Sequence, residues 1–232
     1  CLCCPPLRPG RKAGAALPGP RGRGPDLRKN KEKDARGEPA HPFLQESILT
    51  QSAIKINSGD KVIYFDPYKI KGKPKDADII FITHNHYDHF DLPSINKIKK
   101  DNTLIVMPNT CIKELKEIDT EINMANYIGV NPNEQYFIEG INVETTYSYN
   151  IGKEYHPKNN YWVGYIITLD NEKIYVAGDT DYVEELNKVK CDIALVPIGG
   201  TYTMNYKEIL SQANAELSLL DENLIDILEI KK

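Results

Sequence analysis

Residues 78–83, Asp78-Ile79-Ile80-Phe81-Ile82-Thr83, form the most apolar strand-like run in the chain, and the run ends directly in His84-Asn85-His86-Tyr87-Asp88-His89. A short, continuous apolar run bounded by polar residues reads as a strand buried on both faces, as found inside a layered sheet. In extended chain, residues two apart point the same way, so His84 and His86 can approach one cation together. A turn after His86 then returns Asp88 and His89 beside them. Imidazole and carboxylate at this density suit zinc, manganese or iron, whereas calcium and magnesium take oxygen ligands. The competing reading is a solvated histidine-rich loop. Three His and one Asp within six residues at the end of a buried strand weigh against it.

The surrounding sequence mixes short strands with helices. Residues 47–56 and 61–65 flank Asn57-Ser58-Gly59-Asp60, a hairpin signal. Residues 92–100 have helical spacing with Ile95 and Ile98 inward, 103–107 read as a strand, and 109–118 as a helix capped by Asn109 or Thr110. Strand patterns follow at 141–147, 161–169, 173–177 and 192–197, with Asp170-Asn171 between the second and third. Helix patterns lie at 182–189 and from Tyr206 onward, and 216–230 reads as an acidic amphipathic helix. Hairpins combined with strand–helix alternation indicate an α/β (α+β) fold with two sheets.

His-x-His-x-Asp-His after a buried strand resembles the signature of the metallo-β-lactamase superfamily. Thr83 before it and Tyr87 within it look like the ascorbate-6-phosphate-lactonase-like branch of metal-dependent hydrolases. Phe65-Asp66-Pro67-Tyr68, Gly178-Asp179-Thr180 and Pro197-Ile198-Gly199-Gly200-Thr201-Tyr202-Thr203-Met204 are similar to further loops of that family, so the resemblance spans roughly residues 46 to 212. It implies a four-layer αββα sandwich. It also implies that His84, His86 and His156 hold a first metal, Asp88 and His89 a second, and Asp179 bridges the two. On their own, a Gly-Asp turn and a loop histidine would be read as a structural turn and a surface residue; only the cluster gives Asp179 and His156 their roles. The cofactor implied is zinc, one or two ions, with manganese or iron as alternatives. Two such ions lower the pKa of a bridging water toward 7 and polarise a scissile carbonyl or phosphoryl group, giving a hydroxide nucleophile at neutral pH. Asp88 is then the catalytic residue that holds or accepts the proton of that water.

The resemblance leaves one ligand unaccounted for. The family supplies a last histidine to the second metal from a strand near the end of the fold, and no histidine follows His156 here. The expectation is a domain lacking its last strand. Three explanations stay open: a truncated sequence, a second metal completed by water or another ligand, and a copy that binds metal or ligand without turnover.

Composition separates residues 1–43 from the rest. All six arginines and eight of the 15 prolines fall there, with no aromatic before Phe43 and all 14 tyrosines after it. Ten Lys/Arg against four Asp/Glu give this stretch a charge of +6, which leaves −10 of the total −4 for residues 44–232. Such a segment cannot bury enough apolar surface to offset its ordering entropy, so residues 1–43 are expected to be a disordered basic Gly/Pro/Arg-rich tail and 44–232 the folded domain. A basic Gly/Arg tail can meet nucleic acid through phosphates, but without interleaved aromatics to stack on bases no specific nucleic-acid partner is expected. No apolar run of 18 residues and no secretory core sequence is present, so the expectation is a cytoplasmic protein without a membrane partner, acting on a small-molecule substrate. The chain starts at Cys1 and not Met, which is read as a fragment or a mis-joined sequence. Five cysteines, with Cys111 and Cys191 alone in the folded part, fit reduced thiols. Lys158 and Asn160 are read as solvated turn residues in preference to an anion site.

Overall fold

The computed structural model describes residues 44–118, 123–205, 207–209 and 226–227, all within the unit running from Lys33 to Lys232. The tail read at 1–43, His41 within it, and the helix read at 216–225 and 228–230 lie outside the described residues.

Two six-stranded sheets stack on each other. The first runs in sequence order: β1 (Leu44–Thr50), β2 (Ala53–Ser58), β3 (Lys61–Phe65), β4 (Ala77–Phe81), β5 (Lys99–Pro108) and β6 (Tyr127–Val130). The second reverses that order: β12 (Asp226–Ile227), β11 (Ile193–Leu195), β10 (Glu172–Val176), β9 (Val163–Leu169), β8 (Ile141–Tyr147) and β7 (Gln135–Ile138). β3 to β6 are parallel, β1 to β3 and β7 to β10 antiparallel. The antiparallel pairs are joined by tight turns, except β8 and β9, which a loop of residues 148–162 connects. Asp170 and Asn171, with φ of 50° and 68°, form the two-residue turn between β9 and β10, where both central residues must adopt left-handed φ and short polar side chains tolerate it.

The alternation along β4 explains its apolar run. Ile79 and Phe81 point into the core between the sheets, with Phe65 and Tyr165; Ile80 and Ile82 face the other way, onto α1 (Leu92–Ile98) and α2 (Asn109–Ile118). A strand covered on both faces has no polar face to offer, and each fully buried Ile or Phe contributes roughly 1.5–3 kcal/mol. On the outer face of the second sheet, Ile166 and Tyr175 are covered by Leu186 and Val189 from the region of a 3₁₀ helix (Glu184–Lys188) and by Ile209 from one helical turn at 207–209. Helix, sheet, sheet and helix make the four layers expected from sequence. Among the described residues no helix is long and apolar enough to cross a membrane.

Several elements differ from the sequence reading. Residues 47–56 are not one strand, because Gln51 (φ 43°) turns the chain between β1 and β2. α1 stops at Ile98, and Lys99 already belongs to β5, whose register with β4 shifts there. The helix read at 182–189 is a 3₁₀ helix of five residues. β6 and β7 went unread, being four residues each with mixed burial. Asp226–Ile227, read as helix, pairs parallel with β11 as the edge strand β12, where backbone partners outweigh helical spacing.

Candidate metal centre

The site forms where β4 and β10 end at the same edge of the sandwich. Thr83 follows β4, and its carbonyl accepts from Val163 N at 3.2 Å, tying the two sheets together here. The chain then turns: the His86 carbonyl accepts from His89 N at 2.9 Å and Phe90 N at 2.8 Å, which brings His89 back toward His84, with ring centroids 4.0 Å apart. Asp91 ends the turn by capping α1, its carboxylate accepting from Ser94 Oγ at 2.6 Å and Ser94 N at 3.3 Å. After β10, Gly178 (φ 67°) delivers Asp179. A Cβ at Gly178 would lie 2.9 Å from the Thr83 Cβ, so only glycine allows this loop to approach the first sheet.

His156 comes from the loop between β8 and β9 and adopts a left-handed φ of 62°. Its neighbours hold it there: Asn150 N donates to the His156 carbonyl at 2.8 Å, Ile151 N to Asp181 Oδ2 at 2.9 Å, and Lys153 Nζ to Thr203 O at 3.0 Å. Lys153 also pairs with Asp181. A non-glycine residue in this conformation costs on the order of 1–3 kcal/mol and persists only where the surroundings impose it.

Two interlocking ligand groups result, His84–His86–His156 and His84–His89–Asp179, in each of which the candidate atoms lie within 4.8 Å of one another. His84 Nε2 and His86 Nδ1 are 3.1 Å apart. Two nitrogens bound tetrahedrally to one zinc stand about 3.3 Å apart, given Zn–N of about 2.0–2.1 Å. Asp179 Oδ1 lies 3.5 Å from His89 Nε2 and Oδ2 3.5 Å from His156 Nε2, so the carboxylate faces both groups. His156 Nε2 is buried with no hydrogen-bond partner, and it faces Asp179. Spacing, donor types and this orphaned nitrogen fit a divalent transition ion. Asp88 stands outside both groups; its Oδ2 accepts from Gln51 Nε2 at 2.7 Å and its carbonyl from Ser52 Oγ at 3.1 Å.

A buried carboxylate organises the rest. Asp66 accepts three hydrogen bonds: from Thr83 N at 2.8 Å, Thr83 Oγ1 at 2.7 Å and His89 Nδ1 at 2.7 Å. With its hydrogen given to Asp66, Thr83 Oγ1 accepts from His84 Nδ1 at 2.9 Å. Both rings therefore keep their proton on Nδ1 and present Nε2 to the site, an arrangement common for metal-ligating histidines. Trp162 walls the other side, 4.8 Å from both the His84 and His86 rings.

The electrostatics separate the histidines. Burial, with the neighbouring imidazoles, holds His84 well below the usual histidine range and lowers His86 as well. His156 is pushed down to about 4, by burial first, against the pull of Asp179. At His89 burial also acts downward, but the charges and hydrogen bonds of Asp66 and Asp179 outweigh it and lift the ring to about 10. Three histidines are thus neutral and ready to ligate, while His89 carries a proton that a metal must displace.

Sequence reasoning quoted Asp66 within a motif without giving it a role, and passed over Gln51, Asn150 and Trp162. An Asp-Pro pair after a strand and a lone Trp were the available signals for two of them; Gln51 and Asn150 had none. Lys158, read as solvated, pairs with Glu185 at 2.5 Å and lies over the Tyr147 and Tyr149 rings. Cys111 is buried and Cys191 half-buried, and neither forms a disulfide.

The Beta-lactamase superfamily domain matches residues 47–216. The chain is 34% identical over 159 residues to the UPF0173 metal-dependent hydrolase of Thermoplasma volcanium, covering 63% of this chain and 68% of that protein. It is 34% identical over 181 residues to the one of Thermococcus onnurineus, covering 72% and 77%. Among solved structures, a metallo hydrolase from Ignicoccus hospitalis superposes with a TM-score of 0.58 at 22% identity, over 73% of this chain and 76% of that one, a likeness of fold. Strand-end histidines, the carboxylate facing both groups and these matches agree: the chain belongs to the beta-lactamase superfamily, among the UPF0173 metal-dependent hydrolases.

Proposed function

We propose that this chain hydrolyses a lactone, ester or phosphodiester of a small metabolite, close in chemistry to the ascorbate-6-phosphate-lactonase-like branch, with zinc, manganese or iron at the two ligand groups. The observation that carries the reading is the placement of Asp179, one oxygen toward His89 and the other toward His156, between groups that share His84. Divalent ions held there supply Lewis acidity and an acidified water. The chain's own residues do the rest. Gln51 and Ser52 hold Asp88 in place, leaving Oδ1 to take a proton from the attacking water. A cleft open to solvent adjoins His89 and Asp179; Val176, Leu195, Pro197 and Ile198 give it an apolar wall and Gln51 and Ser52 a polar one. That mixture suits the body of a small substrate.

The two groups should load unequally. His84, His86 and His156 are held neutral, while the second group depends on His84 again, on Asp179, and on His89 with its retained proton. We expect one tight ion and one weaker, followed by fluorescence of the chain's single tryptophan, Trp162, and by calorimetry. Hydrolysis across an ester, lactone and phosphodiester panel should vanish with chelator and return with excess metal. Substituting His84 and His86 together by Ala should abolish metal content; a double variant that keeps its metal would refute the site.

A further inference from the structure

The two-residue turn between β1 and β2 is an irregular one. The ladder of β1 with β2 shifts register between Ile48 and Thr50, and Gln51 then takes a left-handed φ of 43°. Glycine or asparagine fills such a turn position readily, whereas another side chain there is strained by on the order of 1–3 kcal/mol. Irregularities of this kind re-aim side chains beside functional sites, and here Gln51 and Ser52 both line the cleft next to His89 and Asp179.

What these two side chains offer a substrate follows from what they already hold. A carboxylate only accepts, so the Gln51 amide turns Nε2 to Asp88 Oδ2, at 2.7 Å, and Oε1 is left over. Ser52 has a single hydroxyl hydrogen and gives it to the Asp88 carbonyl at 3.1 Å, which leaves its lone pairs. Among the described residues neither oxygen accepts a hydrogen bond. Against the one hydrogen that Nε2 keeps, this wall offers two acceptors. The other wall is apolar, made by Val176, Leu195, Pro197 and Ile198, and among the described residues no lysine or arginine lines the cleft, while Asp66 and Asp179 do. An anionic phosphodiester would meet acceptors and carboxylates beside the metal centre. A neutral acyl group with an apolar flank and one hydrogen-bond donor matches both walls.

We propose that Gln51 determines substrate specificity: its Oε1, with Ser52 Oγ beside it, accepts from a hydroxyl on the acyl part of the substrate, which is a neutral carboxylic ester carrying that hydroxyl next to a branched apolar group. Gln51 thus serves two ends, holding Asp88 through Nε2 and reading the substrate through Oε1. The proposal deepens the hydrolase reading above and rests on it for the ester bond.

The test compares methyl 2-hydroxy- and 3-hydroxy-4-methylpentanoate with methyl 4-methylpentanoate, which lacks the donor. The zinc-loaded wild type should favour one hydroxy ester over the parent about 10- to 100-fold in kcat/KM, because a site that hydrogen-bonds a hydroxyl rejects the analogue without it. Gln51→Leu should slow all three esters, by loosening Asp88, and also erase the preference. Gln51→Glu keeps an acceptor, and should retain the preference at a lower rate. Binding gives a second readout: in the metal-free protein, where a hydroxyl has no ion to chelate, the N,N-dimethylamide of the favoured hydroxy acid should shift the Gln51 side-chain ¹H–¹⁵N signals and that of the parent acid should not. The same preference in wild type and Gln51→Leu would overturn the proposal, as would equal shifts from both amides or hydrolysis of bis(4-nitrophenyl) phosphate in preference to every ester. Hydrolysis without hydroxyl preference refutes the proposal alone, whereas a hydroxyl-selective shift at Gln51 without hydrolysis of any substrate refutes the hydrolase reading and supports the assignment of Gln51. If Gln51→Leu fails to fold by circular dichroism, Ser52→Ala, which should lower the preference, and the wild-type shifts decide.

Discussion

At the scale of single residues, Asp66 is where one substitution should reach furthest, because one carboxylate receives Thr83 twice and His89 once. Asp66→Asn keeps the size and removes the charge. It should cost about 1–3 kcal/mol of unfolding free energy, read by urea denaturation, by leaving a buried donor without an acceptor. It should also drop the His89 pKa from about 10 toward the usual range, since the first charge that lifts it is gone. An NMR titration of His89 that matched wild type would contradict this. The same histidines set the pH dependence of the metal-free protein. His156 has a depressed folded pKa of about 4, so its contribution is present above the unfolded value of about 6.5 and is lost as pH falls through 4. His89 is raised to about 10, so its contribution is complete below about 6.5 and is lost as pH rises through 10. As far as these groups set it, stability should peak near pH 6.5 and fall on both sides by up to about 1.4 kcal/mol per pH unit per group. Zinc should flatten the alkaline limb, because a bound His89 has no proton to lose, and steepen the acid limb, because the unfolded chain still takes up protons that bound rings cannot. Chemical denaturation at pH 5, 6.5 and 9, with and without metal, measures the curve; a metal-free protein equally stable at all three would show that these burial and charge effects do not act.

At the scale of elements, the site depends on two strand ends meeting, and Gly178 is where they touch. Gly178→Ala would bring a Cβ to 2.9 Å from Thr83 Cβ and 3.0 Å from Ser148 Oγ, at a φ of 67° that side chains resist. Both costs act together, and the expected loss is about 1–3 kcal/mol with weakened metal binding, read by the denaturation midpoint and by competition with a chromophoric chelator. A variant with wild-type midpoint would mean that the β10 end can retreat without disturbing Asp179. The loop carrying His156 is held differently, by Asp181 through Lys153 and Ile151 N, with no glycine at the ligand itself.

At the scale of the molecule, the inter-sheet core carries the site. Phe81 stacks on Phe65 with centroids 4.9 Å apart and meets Tyr165 at 4.9 Å, and the Tyr165 hydroxyl donates to the Ile82 carbonyl at 2.8 Å, two residues before His84. Phe81→Ala should cost about 3–5 kcal/mol through lost burial and a cavity. Because β4 positions the histidines, metal affinity should fall with it. Thermal unfolding with and without zinc checks both, and undiminished zinc stabilisation in the variant would separate the site from the core beneath it.

What the sequence determined by itself was whatever is written in a local period or a dense cluster. The both-face burial of β4, the candidate ligand cluster of His84, His86 and His89, the span of α2 and the turn at Asp170–Asn171 follow from neighbours in the chain. The two-sheet architecture followed from strand–helix alternation joined to one recognisable motif. The tertiary structure alone decided which distant residues complete the centre: Asp66 under His89, Asn150 against His156, Gln51 on Asp88 and Trp162 beside the rings are separated from their partners by six to 78 positions, with no periodicity linking them. It also decided which histidines are neutral and which is charged. Burial and carboxylate distance set those pKa values, and both come into being only when the ends of β4 and β10 meet.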